Sequence, residues 1–169
     1  MINNFDVRHV TGRMERVLYS HICVDAIQTD LTSRQAMDVA LVIGTTPCPI
    51  FAIMDENNPV AIAVCSLDLP GYARRLRFGW TDPACRKMGF GLAVARHVVQ
   101  SAKHVGVAVR HESEKRIAER AGFTHWRRAD GGWAGATTKA AFRMPFAHPN
   151  PTPEAIADAM RSFGLEGRA

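Results

Sequence analysis

A strand, a turn with two glycines one residue apart, and an amphipathic helix follow one another between residues 73 and 104, and no other stretch constrains the fold as strongly. Ala73 to Thr81, aromatic and basic in composition, reads as a sheet strand. The turn is Asp82-Pro83-Ala84-Cys85-Arg86-Lys87-Met88-Gly89-Phe90-Gly91. A helix is expected from about Gly89 to His104, with Leu92, Ala95, Val99 and Ala102 on one face. The glycines let the backbone turn tightly and approach a ligand with no Cβ in the way. The first N–H groups of the helix point outward, and its dipole favours an anion there. Arg86 and Lys87 bring full positive charge to the same place. This is the physical form of a pyrophosphate cradle; the plainer alternative is a glycine turn that only starts a helix. It is not a Walker A loop, because Gly-Lys-Ser/Thr is absent, nor the dinucleotide fingerprint, which needs glycine where Val94 stands.

The charge of the chain centres on the same segment. The whole sequence carries a net +5, yet Arg74 to Arg128 alone holds thirteen Lys/Arg and four Asp/Glu, a net +9, and the remainder is net −4. A polyanionic partner is expected there, either a phosphate-rich cofactor or nucleic acid, against the alternative of a solvated basic face. The cradle assigns the charge to the cofactor.

The rest of the chain reads as follows. Phe5 to Val10 is a first strand, and Thr11-Gly12 opens a helix to about Thr29, with Met14, Val17, Leu18 and Ile22 at helical spacing. Thr32 to Gln35 fits a capping box for a second, short helix ending near Gly44. Ile50 to Met54 and Pro59 to Leu67 form a hairpin across Asp55-Glu56-Asn57-Asn58. Gly106 is expected to close the helix after the cradle, with Val107 to Val109 a short buried strand. Ser113 to Ala121 is helical and stops at Gly122. Thr124 to Arg128 and Lys139 to Phe146 are the last strands, with a turn at Asp130-Gly131-Gly132. This order gives an α+β fold, a mixed sheet flanked by helices on both faces. Residues 1–147 form one domain, and 148–169 a proline-containing linker with a short C-terminal helix.

A chain of 169 residues with 47% hydrophobic and 22% charged residues buries a core without staples. Cys23, Cys48, Cys65 and Cys85 form no C-x-x-C pair, which points to reduced cysteines in a cytoplasmic protein rather than a zinc or disulfide framework. No apolar run has the length of a membrane span, and the first residues lack the basic and apolar regions of a signal peptide. His97, His104 and His111 recur every seven residues, but the expected helix ends near His104, so they form no ligand row and no metal is expected.

Pro83-x-x-Arg86-x-x-Gly89-x-Gly91 after a strand resembles the acyl-CoA-binding motif of the GNAT N-acetyltransferase superfamily. The segment from His111 to Gly122-Phe123 resembles that family's last core helix, and the element order is similar over residues 5 to 146. The resemblance implies transfer of an acetyl group from acetyl-CoA, as cosubstrate, to a primary amine of a small molecule or protein. It implies that Arg86, Lys87, Met88, Gly89, Phe90 and Gly91 hold the pyrophosphate, with pantetheine beside the strand that ends at Trp80 and Thr81. A backbone N–H on that strand would polarise the thioester carbonyl.

The acid–base residues depart from the family pattern. Ala118 stands where many members have a tyrosine that protonates the thiolate, and His111 where asparagine often starts the segment. In this the chain is nearest to the ribosomal-protein N-terminal acetyltransferase branch, although the usual serine position there is Glu114. His111 is one substitute, as base or acid, or else a surface histidine. Ser113 either donates to the thiolate or caps the helix. Glu112, Glu114 and Asp68 are further proton carriers, against helix-dipole and turn roles, and Tyr19, His21 and Asp25 either bind an acceptor ammonium or form a solvated face. A catalytically weak or inactive CoA-binding protein on the same fold is the alternative to an active enzyme. Arg74, Arg75, Arg77, Arg127 and Arg128 near Trp80, Trp126 and Trp133 suit a nucleic-acid binder, but no motif supports it. A homodimer is compatible with the sequence, and no membrane partner is expected.

Overall fold

The structure is a computed structural model, and it describes residues 5–30, 49–65, 73–129 and 131–143. The expected second helix after Thr32, Asp68, Asp130 and the segment 148–169 lie outside the described residues. Among the described residues seven strands are β1 (Arg8–Val10), β2 (Ile50–Asp55), β3 (Asn58–Cys65), β4 (Ala73–Thr81), β5 (His104–Val109), β6 (His125–Ala129) and β7 (Gly132–Ala136). Three helices among the described residues are α1 (Arg13–Asp30), α2 (Phe90–Gln100) and α3 (Glu112–Ala121). Short 3-10 turns cover Pro83–Cys85 and Lys139–Arg143.

The strands form one mixed sheet in the order β1-β2-β3-β4-β5-β7-β6. The β2–β3 hairpin closes through Asp55 opposite Asn58, and Glu56 takes the left-handed backbone the tight turn needs, at φ +53°. β4 and β5 are parallel, joined by α2 as crossover, and every other pairing is antiparallel. α2 and α3 share one core with one sheet face. Val94, Ala95 and Val98 of α2 and Ala118 and Ala121 of α3 pack with Phe51, Ala61, Ala63, Val105, Val107 and Val109. Each fully buried valine of this set contributes about 1.5–3 kcal/mol. Ile50, Ala52, Ile62 and Val64, on the opposite face by alternation, are buried too. This explains why β2 and β3 read as unbroken apolar runs.

Several sequence expectations are corrected. The first strand is only Arg8–Val10. α2 ends at Gln100, not near His104, because Ser101 caps it: the Ser101 hydroxyl donates to Val98 O at 2.7 Å and its N–H to His97 O at 2.9 Å. His104 instead begins β5, which runs through Gly106. The last strand is Gly132–Ala136, while Lys139–Arg143 forms a 3-10 turn against β5 and β7. On α1, considered by itself, the expected stripe is off by a residue or two. Met14 is 80% exposed and Val17 and Leu18 are exposed, whereas Tyr19, Ser20 and Cys23 are buried.

Among the described residues Cys23, Cys65 and Cys85 form no disulfide. No described helix is long and apolar enough to cross a membrane.

Candidate functional site

The parallel pair at the centre of the sheet is only half made. β4 and β5 pair from Ala73 opposite His104 to Leu76 opposite Val107, and the pairing stops there. β4 runs on to Thr81 along β3 alone, and β5 runs on to Val109 along β7. The register of β4 against β3 shifts at the same level, between Val64 opposite Phe78 and Cys65 opposite Leu76, so Arg77 is an extra residue. Such a bulge turns the strand locally and helps the two strands to diverge.

The chain leaves the open end of β4 through the glycine turn. Asp82 N–H donates to Val60 O at 2.9 Å, fixing the exit to β3. The Asp82 carboxylate accepts from Ala84 N–H at 2.8 Å and starts the Pro83–Cys85 turn. The Arg86 side chain reaches back to Thr81 O at 3.4 Å. Lys87 has φ +70° and Gly89 φ +94°, two left-handed residues in quick succession. Gly89 is the N-cap of α2 and offers no side-chain acceptor. The N–H groups of Phe90, Gly91 and Leu92 therefore have no intrahelical partner and face outward at the positive end of the helix dipole. Arg86, Lys87, Met88 and Gly89 are exposed. At Gly91 a Cβ would stand 2.9 Å from Thr81 Oγ1, so only glycine lets α2 start this close to β4. The result is a run of backbone donors with two exposed cations beside it, an arrangement that favours an anion.

Across the gap, β5 leads into α3. His111 occupies the N-cap with extended backbone, and one Glu114 carboxylate oxygen accepts from Arg110 N–H at 2.9 Å and His111 N–H at 3.1 Å. Ser113 lies inside the first turn of α3, so it is not the cap; both it and His111 are exposed. Glu114 is the residue that orders this turn. An acid three places after a cap is a sequence signal, but His111 in place of Ser, Thr, Asp or Asn hid it.

Trp80 and Thr81 end β4 on opposite faces, Trp80 opposite Ile62 and Thr81 opposite Ala61. Ala118 is buried in the core shared by α2 and α3. The other side of the β6–β7 hairpin carries a ladder of cations and indoles under α3. The Arg128 guanidinium lies 4.5 Å from the Trp133 ring, and Lys115 Nζ lies 5.8 Å from Trp133 and 5.5 Å from Trp126. Arg128, Trp126 and Trp133, which suggested nucleic-acid binding, are thus engaged within the protein, Trp126 through Lys115. On the α1 side of the sequence, His21 is exposed and Tyr19 buried.

Far from the cradle, at the other end of α2, the Phe51 ring stacks with His9 at 5.1 Å and meets His97 at a tilt, also at 5.1 Å, and Arg74 lies 5.5 Å from it. Burial, His9 and Arg74 lower the pKa of His97. On β4, burial and the neighbouring Arg77 lower that of Arg75. Among the described residues no group of three His, Cys, Asp or Glu gathers to hold a metal.

No protein-family model matches the sequence, and no curated protein matches it significantly. Solved structures do match in fold. The histone acetyltransferase HPA2 and related acetyltransferase from Corynebacterium glutamicum is 15% identical over 85% of this chain and 99% of its own, with TM-score 0.64. A GNAT-family acetyltransferase from Desulfovibrio desulfuricans is 17% identical over 78% of this chain and 95% of its own, with TM-score 0.58. N-acetylglutamate synthase from Neisseria gonorrhoeae, solved with coenzyme A and N-acetyl-glutamate, is 11% identical over 78% of this chain and 34% of its own, with TM-score 0.54.

Proposed function

We propose that this chain, which has the GNAT fold, is an acetyl-CoA-dependent N-acetyltransferase acting on a primary amine. The observation that carries the reading is the glycine turn at the mouth of the β4–β5 gap, where Gly91 seats α2 against Thr81 and its first amides face outward. Acetyl-CoA supplies an activated acyl carbon; the chain supplies position, polarisation and proton transfer.

The amides of Phe90 and Gly91, with those of Met88 and Gly89 and the charges of Arg86 and Lys87, hold the pyrophosphate. Trp80 and Thr81 flank the pantetheine arm. Beyond Leu76 the N–H groups of β4 that face the gap are spared from pairing with β5 and can donate to the thioester carbonyl. The amine nitrogen attacks the carbonyl carbon, a C–N bond forms, the C–S bond breaks, and the sulfur leaves as thiolate. One proton leaves the nitrogen and one reaches the sulfur, so the products are an acetamide and the free thiol of CoA. His111, exposed at the start of α3 across the gap, is the proton carrier of choice near neutral pH. Ser113 is a second donor for the thiolate. We assign residues 1–147 to the catalytic domain.

Calorimetry with CoA tests the reading. Gly89→Glu and Gly91→Glu put bulk and negative charge into the cradle and should abolish binding seen with the native chain. Failure of the native chain to bind millimolar CoA would overturn the proposal. Ala118, buried where an acid is common in this fold, favours a second reading, a CoA-binding protein without catalysis. Binding of CoA with no transfer in a broad screen of amines would establish it.

A further inference from the structure

We infer that Phe5 is a positioning residue of the site: its ring, set against Phe90 and over Gly89, holds the first turn of α2 and the glycine turn before it in the shape that receives CoA. This rests on the acetyl-transfer reading above and names a residue, distant in sequence, on which that binding depends.

The sheet brings the start of the chain to the cradle. Arg8 of β1 lies opposite Ala52 of β2, Ile53 opposite Ala61 of β3, and Ala61 opposite Thr81, the last residue of β4. The residues ahead of Arg8 therefore leave β1 at the end of the sheet where β4 enters the glycine turn. Phe5 and Val7 pack there against the core that α2 shares with the sheet. The Phe5 and Phe90 rings meet with 4.5 Å between centroids, tilted by 48°. Phe5 Cε2 also stands 3.8 Å from the place of a Cβ on Gly89. The ring thus lies over the N-cap of α2 as well as over its first residue.

Those two residues need a hold from outside the turn. Gly89 supplies no capping side chain, and Lys87 and Gly89 both have left-handed backbones. Glycine loses more conformational freedom on being fixed than any other residue. The start of the turn is tied to β3 by Asp82 N–H on Val60 O, and its end is set by Gly91 against Thr81. Phe5 wedges the stretch between, where Arg86 to Gly89 are exposed. A turn ordered before its ligand arrives loses less freedom on binding, so affinity rises although Phe5 takes no part in the bond changes. The same segment is held further along, where His9 stacks on Phe51 and Phe51 meets His97. Residues 5–10 therefore run beside α2 from its first turn to near its last.

Calorimetry with CoA on the full chain tests this in the native protein, Phe5→Leu, Phe90→Leu and the double variant. Phe5→Leu should weaken CoA about fivefold, within the range of one aromatic pair. The double variant should bind about as Phe5→Leu does, because both substitutions break one contact. Losses that simply multiply overturn the inference. Val7→Ala removes another apolar contact of the same segment and should lower the melting temperature while leaving CoA affinity unchanged. An equal loss of affinity in Val7→Ala would reduce Phe5 to general packing and overturn the inference too. In the transfer assay Phe5→Leu should raise KM for acetyl-CoA and keep kcat within about twofold. Hydrogen exchange reads the same device without ligand. Ala93 N–H donates to Gly89 O at 3.0 Å, and it should exchange about fivefold faster in Phe5→Leu. Ser101 N–H, bonded to His97 O at the other end of α2, should not change. Equal exchange at Ala93, or native CoA affinity in Phe5→Leu, overturns this inference alone. A native chain that does not bind millimolar CoA overturns the acetyl-transfer reading and this one with it.

Discussion

Gly91 cannot become alanine without moving Thr81, since the new Cβ would stand 2.9 Å from Oγ1. Gly91→Ala should lower stability by about 1–3 kcal/mol, the usual range for overpacking, and weaken CoA binding. Thr81→Ala removes the opposing hydroxyl, so the double variant should recover part of the loss. Urea denaturation of all four chains measures that coupling, and strict additivity would show that the contact does not matter. His111 and Ser113 part company at this scale. His111→Ala should cut kcat at least roughly tenfold with little change in CoA affinity, as expected for a group that moves a proton. Ser113→Ala, at an exposed first-turn position rather than the cap, should stay within about 0.5 kcal/mol of native stability. Any rate loss there is then chemical, and unchanged rates in both variants would leave positioning alone. The sequence made the glycines and the cations of the cradle readable, because their roles depend on backbone freedom and charge. It names Glu114 as a proton carrier or helix-dipole partner but not its bonds to the Arg110 and His111 amides, which depend on how the turn before α3 folds.

At the scale of elements, α2 shows where pattern reading stops. Its apolar positions continue past Gln100 to Ala102, so spacing alone extended the helix; a serine hydroxyl bonded to Val98 O and the pairing of His104 with Ala73 ended it sooner. β7 lies outside the pattern for the opposite reason. Gly-Trp-Ala-Gly-Ala has little strand propensity, and it pairs because Gly135 lets the Trp126 ring lie against it, where a Cβ would come within 2.5 Å of the ring. Only the fold supplies that partner. β4, aromatic and basic, has the ends its pattern predicts, Ala73 and Thr81. The last turn of α2 also carries a pH dependence. Burial first, then His9 and Arg74, lower the pKa of His97, so the folded chain resists a proton that the unfolded chain accepts. This contribution is fully present above the ordinary histidine value of about 6.5 and is lost as pH falls below it. The melting temperature should drop between neutral and mildly acidic pH, and His97→Gln should flatten that slope. An unchanged slope in the variant would refute the assignment.

The whole molecule concentrates its positive charge in one stretch of sequence, and the fold divides that charge between uses. Arg86 and Lys87 stand at the cradle, Arg128 and Lys115 cover indoles, and Arg75 and Arg127 share the opposite face of the sheet. A charge count could show the excess but not this division, which depends on register. Nucleic-acid affinity should accordingly be weak and fall steeply with salt, as a counterion effect without base readout. Filter binding at increasing salt checks this, and a tight, salt-resistant complex with a defined RNA would reverse the ranking. The fold class was legible because the chain order and one glycine turn suffice for it; the limits of the last strands were not, because small residues speak only through their partners. The half-made pair β4–β5 has one more consequence. An interrupted ladder at the centre of a sheet gives it an internal edge, and an edge is where hydrogen exchange runs fast. Amides of β4 beyond Leu76 that face the gap should therefore exchange like a terminal strand although they lie mid-sheet, and a molecule bound in the gap should slow them as a missing rung would, while the paired amides from Ala73 to Leu76 stay as they were.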